Sequence, residues 1–194
     1  MTGRIGVLIS GSGTNLQALI DAFADDSAIE IAVVVSNKAD AYGLERAKVA
    51  GISTAVIDHR GKSRRVFDAE LAEVLSAHRV TWVALAGFMR IITPVFLDAF
   101  PGRVINIHPS LLPSFGGAGM YGQRVHQAAL ERKVQFSGCT VHYVDNQYDN
   151  GPIILQKCCP VNQDDTADSL AARVFELECK ALPEAIIKCC QPDG

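Results

Sequence analysis

Ile5-Gly6-Val7-Leu8-Ile9-Ser10-Gly11-Ser12-Gly13-Thr14-Asn15-Leu16-Gln17-Ala18-Leu19-Ile20-Asp21-Ala22-Phe23 is the stretch on which the fold turns. Ile5–Ile9 runs without a charge and stops at a Ser/Gly turn, as a short strand buried on both faces does. From Asn15 the period changes. Leu16, Leu19, Ile20 and Phe23 recur at i, i+3, i+4 and i+7, one face of a helix spanning Asn15–Phe23. A strand, a glycine turn and a helix make one unit, and the unit then repeats. Further strands are expected at Ile29–Val35, Thr54–Ile57, Trp82–Ala86 and Val104–His108. Helices are expected between them at Gly43–Ala50, Ser63–His78 and Pro94–Ala99, the second with Phe67, Leu71, Val74 and Leu75 on one face. The alternation predicts an α/β fold with a doubly wound, mostly parallel sheet.

Beyond Pro109 the texture shifts. A Pro/Gly-rich loop, Pro113-Ser114-Phe115-Gly116-Gly117-Ala118-Gly119, leads to a helix expected at Tyr121–Arg132. Strands at Phe136–Tyr143 and Ile153–Cys159 follow, joined by the polar turn 145–151, and a long helix runs from about Thr166 to Cys190. With no linker, repeat or low-complexity tract, residues 1–194 read as a single domain with halves at 1–108 and 109–194.

Composition narrows the function classes. The apolar share is 48% and the charged share 20%, which excludes a disordered chain. Basic residues number 18 against 21 acidic, and no basic run exceeds a pair such as Arg64-Arg65, so no nucleic-acid partner is expected. No apolar run approaches the ~20 residues of a membrane span, and Ile5–Ile9 is too short for a signal-peptide core. The six cysteines (139, 158, 159, 179, 189 and 190) show neither disulfide-framework nor zinc-ligand spacing. A soluble, cytoplasmic, metal-free protein with reduced thiols is expected, as a monomer or weak homodimer acting on small molecules.

Three segments carry candidate chemistry. The turn Gly11-Ser12-Gly13-Thr14-Asn15 ends a strand and opens a helix, where backbone N–H groups gather for an anion such as a phosphate. It is neither a dinucleotide fingerprint, since Leu16 stands where a glycine is needed, nor a Walker loop. The plainer reading is a glycine turn with a Ser/Thr cap. In Asn106-Ile107-His108-Pro109, residues two apart on a strand share a face, so the amide and the imidazole point the same way. Pro109 stops the ladder and leaves His108 at the carboxyl end of a strand, where open α/β sheets bind ligands. The turn Asp145-Asn146-Gln147-Tyr148-Asp149-Asn150-Gly151 carries two carboxylates; it is either solvated or set against the histidine, whose charged form a carboxylate favours. Two lesser features are the loop Gly87-Phe88-Met89-Arg90-Ile91-Ile92, apolar enough to grip a flat ring or simply core, and Glu178, read most plainly as an edge glutamate reaching solvent.

These residues resemble the phosphoribosylglycinamide formyltransferases, the folate-dependent glycinamide ribonucleotide transformylase family. The likeness runs through Leu8–Gln17, Val35-Ser36-Asn37-Lys38-Ala39, Leu85–Arg90, Asn106-Ile107-His108-Pro109-Ser110-Leu111-Leu112-Pro113, Gly138-Cys139-Thr140-Val141-His142 and Asp149-Asn150-Gly151. It implies a Rossmann-like formyltransferase domain that moves a formyl group from 10-formyltetrahydrofolate, as co-substrate, to the glycinamide ribonucleotide amine in purine biosynthesis. It further implies Asn106, His108 and Asp149 as catalytic residues. Gly11, Ser12, Gly13, Thr14 and Asn15 are implied at the substrate phosphate, with Phe175, Glu176, Leu177 and Glu178 at the ribonucleotide. Folate contacts are implied at Arg64, Met89, Arg90, Ile91, Ile92, Asn106, Asp145, Asn146, Gln147, Tyr148 and Asp149.

The segment Phe115–Gly122 departs from the family, whose better-known members carry a shorter Pro-Gly and histidine-bearing stretch, so no site is carried over from 114–126, His126 included. Three other readings stand beside the transferase. A formyltetrahydrofolate deformylase uses the same donor. A methionyl-tRNA formyltransferase is disfavoured by acidity and by a chain ending near residue 194. A non-catalytic folate- or phosphate-binding module is opposed by the three intact catalytic-type residues.

Overall fold

A computed structural model of the chain describes residues 3–191. Seven strands form one sheet in the order β3-β2-β1-β4-β5-β6-β7. They are β1 (Gly3–Ile9), β2 (Ile29–Ser36), β3 (Thr54–Val56), β4 (Trp82–Leu85), β5 (Val104–His108), β6 (Phe136–Tyr143) and β7 (Ile153–Pro160). Helices α1 (Thr14–Phe23), α2 (Gly43–Val49), α3 (Arg64–Ala77), α4 (Pro94–Ala99), α5 (Gln123–Glu131) and α6 (Ala167–Cys190) connect or follow them. β1 pairs parallel with both β2 and β4, and β2 parallel with β3, while β6 and β7 are antiparallel. Among the described residues no helix is long and apolar enough to cross a membrane.

The doubly wound arrangement is legible at β1. Ile5, Val7, Leu8 and Ile9 are all fully buried. A Cβ on Gly6 would stand 2.6 Å from Leu75 of α3, and one on Gly43 of α2 would stand 2.5 Å from Ile9. Residues 6 and 9 lie on opposite faces of a strand, so α3 and α2 cover opposite faces of the sheet. The strand order runs outward from β1 through β2 to β3 and restarts at β4, which makes β1/β4 the switch point.

Observed elements sit within two residues of the expected ones. Two starts move by two residues: β1 begins at Gly3 rather than Ile5, and α5 at Gln123 rather than Tyr121, the latter because Gly122 holds a left-handed φ of 56° that a helix cannot include. Two compact units emerge, one up to Ile105 together with the chain from Cys189, the other Asn106–Lys188. This division falls three residues before the expected one, and the end of α6 belongs to the first unit because Cys190 packs on Gly3 of β1.

Candidate active site

The turn Gly11–Asn15 lies in the first unit. Gly13 caps the start of α1, sits at φ 69° and offers no side-chain cap, so the Ser/Thr-capped turn of the plainer reading is not what forms. The carbonyls of residues 11–13 are taken: Gly43 N–H donates to Gly11 O (3.1 Å), Arg46 Nε to Ser12 O (2.9 Å) and Gln17 N–H to Gly13 O (2.9 Å). With its acceptors turned inward, the open side of the turn is left to donors. Gly13 has to be glycine, since a Cβ there would lie 2.5 Å from the Gly43 backbone. A cleft of about 230 Å³ opens at this switch point, lined by Ser10–Asn15, Ala86, Gly87 and Met89.

The loop after β4 is fixed at two points. Met89 N–H donates to Ser10 Oγ (2.9 Å), whose own hydrogen goes to Asn37 Oδ1 (2.6 Å). Thr93 N–H donates to the buried Asp68 carboxylate at 2.6 Å. Between those anchors Met89 and Ile91 are exposed, Ile92 is buried, and the Arg90 guanidinium lies 4.5 Å from the Phe67 ring centroid. Arg64 is exposed in the first turn of α3.

The second unit gathers Asn106, His108 and Asp149. β5 delivers His108, almost fully buried, with Nδ1 3.5 Å from Asp149 Oδ2. Its Nε2 lies 2.9 Å from the Phe115 carbonyl. A carbonyl only accepts, so Nε2 carries hydrogen and Nδ1 is the nitrogen turned to the carboxylate. Gly117 N–H donates to Asp149 Oδ2 at 2.9 Å. The Gly-rich segment, from which the sequence yielded no site, thus contacts both members of the pair.

Asp149 owes its place to the turn between β6 and β7. Tyr143 N–H donates to Pro152 O (2.9 Å), and a Cβ on Gly151 would stand 1.8 Å from Tyr143 O, so only glycine closes the turn. Asp145 turns to its own loop, accepting from Gln147 N–H (2.8 Å) and the Asn150 amide (3.3 Å). Asn146, Gln147 and Tyr148 are exposed. The two carboxylates therefore take separate partners. Among the described residues no group of three or more His, Cys, Asp or Glu is placed to hold a metal ion.

Two buried histidines join the cluster. His142, at the end of β6, brings Nε2 to 3.2 Å from Asn106 Nδ2 and 3.8 Å from Asp149 Oδ1. Burial is the main force holding its pKa below the ordinary histidine value. His126 on α5 is likewise lowered, by burial first and by the charge of His108 second. Its Nδ1 is buried with no hydrogen-bond partner among the described residues. His142 sits within a quoted motif but was not counted as a site residue; its signal was a second histidine ending a strand just ahead of the Asp-bearing turn.

On α6, Glu178 is 8% exposed, which corrects the plainer reading of a solvent-reaching edge glutamate. Its charge, after burial, helps push the Cys139 thiol up to about 12. Phe175 and Leu177 are half-buried and Glu176 is exposed. Gly11–Asn15, Arg64 and Met89–Ile92 thus belong to the first unit; Asn106, His108, Asp145–Asp149 and Phe175–Glu178 belong to the second.

Residues 3–186 match the family described as formyl transferase. The chain is 44% identical over 185 residues to the phosphoribosylglycinamide formyltransferase of Escherichia coli (strain K12), covering 94% of this chain and 85% of that one. It is 46% identical over 187 residues to the trifunctional purine biosynthetic protein adenosine-3 of Drosophila melanogaster, again 94% of this chain but 14% of the relative's length. Among solved structures, glycinamide ribonucleotide transformylase 1 from Symbiobacterium toebii superposes with a TM-score of 0.93 at 48% identity, covering 98% of this chain and 89% of that one.

Proposed function

The chain belongs to the formyl transferase family, and from that membership we propose that it transfers the formyl group of 10-formyltetrahydrofolate to the amine of glycinamide ribonucleotide. The products are formylglycinamide ribonucleotide and tetrahydrofolate, a step of de novo purine biosynthesis. The observation that carries this reading is the cluster of a half-buried amide donor, a buried imidazole and a half-buried carboxylate: Asn106, His108 and Asp149. Relatives named as transferases of this substrate favour transfer over hydrolysis of the same donor.

In this reading the amine nitrogen bonds to the sp² formyl carbon, negative charge develops on the formyl oxygen, and the bond from that carbon to N10 of the folate then breaks. Asn106 supplies a hydrogen-bond donor to the developing oxyanion. The amine sheds one proton and N10 gains one, with His108 Nδ1 and Asp149 managing that exchange. The Gly11–Asn15 cradle takes the acceptor phosphate, and Phe175–Glu178 take the rest of the ribonucleotide. Binding energy from the phosphate, remote from the reacting atoms, helps hold the amine in line. Arg64 suits the folate glutamate carboxylates, the apolar Met89–Ile92 loop suits its flat ring, and Asp145–Asp149 are further folate contacts in this reading. No step calls for a metal.

Incubating the purified chain with both substrates should yield formylglycinamide ribonucleotide, detected by mass, with little formate released when the acceptor is omitted. The rate should be unchanged after exhaustive EDTA treatment. Rapid formate release without acceptor would overturn the transferase reading, and activity lost to EDTA and restored only by a divalent ion would overturn the metal-free one.

A further inference from the structure

We propose that His142 is a positioning residue that fixes the orientation of the Asn106 amide, and so decides which of its groups faces the reacting oxygen. The proposal deepens the function given above and rests on Asn106 serving there as the oxyanion donor. His142 is 2% exposed and its Nδ1 lies 2.8 Å from the Tyr143 carbonyl. Because that carbonyl can only accept, the hydrogen of the neutral ring sits on Nδ1 and Nε2 presents a lone pair. The group 3.2 Å from that lone pair is the Asn106 side-chain amide. A lone pair admits the NH2 end of the amide and repels its oxygen. One amide hydrogen is thereby committed to His142, and the other N–H stays free for a developing oxyanion.

The acceptor that sets this tautomer is itself guarded. Any Cβ at residue 151 would collide with Tyr143 O, so the glycine that closes the Asp149 turn also keeps this carbonyl open to the imidazole. Around the ring, Asp149 Oδ1 at 3.8 Å and the charge of Asp145 favour protonation, while burial and the charge of His108 oppose it. Burial prevails, and the ring stays an acceptor at neutral pH. Partners of this kind, one shell removed from the reacting atoms, orient groups whose own contacts leave two directions open.

Two measurements test the assignment. Imidazole 15N shifts of the labelled, ligand-free chain near pH 7.5 should place His142 in the Nδ1–H neutral tautomer, and the Asn106 side-chain amide signals should move in His142→Leu. This readout stands whether or not formyl transfer is observed. In kinetics, His142→Leu should lower kcat on the order of 10²-fold, as loss of an aligned oxyanion donor does, with the acceptor KM within about threefold. His142→Gln, whose side-chain oxygen can accept from Asn106, should recover most of the rate. An Nε2–H tautomer, an unchanged kcat in His142→Leu, or a glutamine variant no better than leucine would overturn the proposal. If His142→Leu does not fold, the wild-type tautomer and the glutamine variant decide it. Should the wild type transfer no formyl group while the spectra come out as expected, the function falls and the orientation of the amide stands.

Discussion

His126 shows what a buried titratable side chain without a partner does to a fold. Its ring is 5% exposed, Nδ1 makes no hydrogen bond among the described residues, and burial together with the charge of His108 lowers its pKa. The unfolded chain returns this imidazole to its ordinary value of about 6.5, so below that value the unfolded state binds the extra proton. Stability contributed by keeping the ring neutral is complete above pH 6.5 and is lost as pH falls through the lower folded value. Replacing the ring by the non-titrating His126→Gln should therefore give a Tm difference from wild type that shrinks steadily between pH 7.5 and 5. A difference that stays constant over that interval would remove His126 from the acid sensitivity of the fold. His142, also buried and lowered, adds to the fall in both proteins and cancels from the comparison.

At the scale of an element, the turn between β1 and α1 separates two uses of glycine. A Cβ at Gly13 would strike the Gly43 backbone, and φ 69° there is strained for any other residue, whereas a Cβ at Gly11 meets nothing within 4 Å. Gly13→Val should cost several degrees of Tm, since it forces α2 away from the turn and adds on the order of 1–3 kcal/mol of backbone strain. Gly11→Leu should keep the wild-type Tm within about 2 °C and raise the acceptor KM on the order of tenfold or more by crowding the mouth of the cradle. Thermal melts beside acceptor titrations check both; a Gly11→Leu variant with unchanged KM would take the phosphate away from this turn. The turn itself was legible because an uninterrupted apolar run and a 3.6-residue stripe flank it, and the shared face of Asn106 and His108 because Asn-x-His-Pro fixes strand parity and strand end together; Asp149, in a turn that could equally be solvated, came only through the family resemblance. The start of α5 was not legible, since nothing in Tyr121-Gly122 announces the backbone angle that delays the helix. Nor were the partners of His108 and Asp149 on the Gly-rich segment. Phe115 and Gly117 act through a carbonyl and an N–H, which every residue has, so side-chain chemistry gives no trace of them.

At the scale of the molecule, the chain leaves the first unit after Ile105 and rejoins it at Cys189. The periodic pattern of α6 runs through that return without a break, even across Pro183, so nothing in the sequence marks where its last turn joins the first unit. What brings the last turn back is contact: a Cβ on Gly3 would stand 2.9 Å from Cys190 Sγ, and burial pushes that thiol up to about 11. Residues 3 and 190 therefore emerge side by side, and a polypeptide whose ends share one doorway can be spliced into a host as a cassette. Its two junctions ask the host loop to open by little more than the width of a chain, so neither partner has to stretch. Residues 3–190, inserted through short Gly/Ser linkers into an exposed loop of a stable carrier, should melt at the temperature of the free chain and leave the carrier's own melt in place. Unfolding of either partner in the insertion, but not in a simple end-to-end fusion, would show that the doorway is closed.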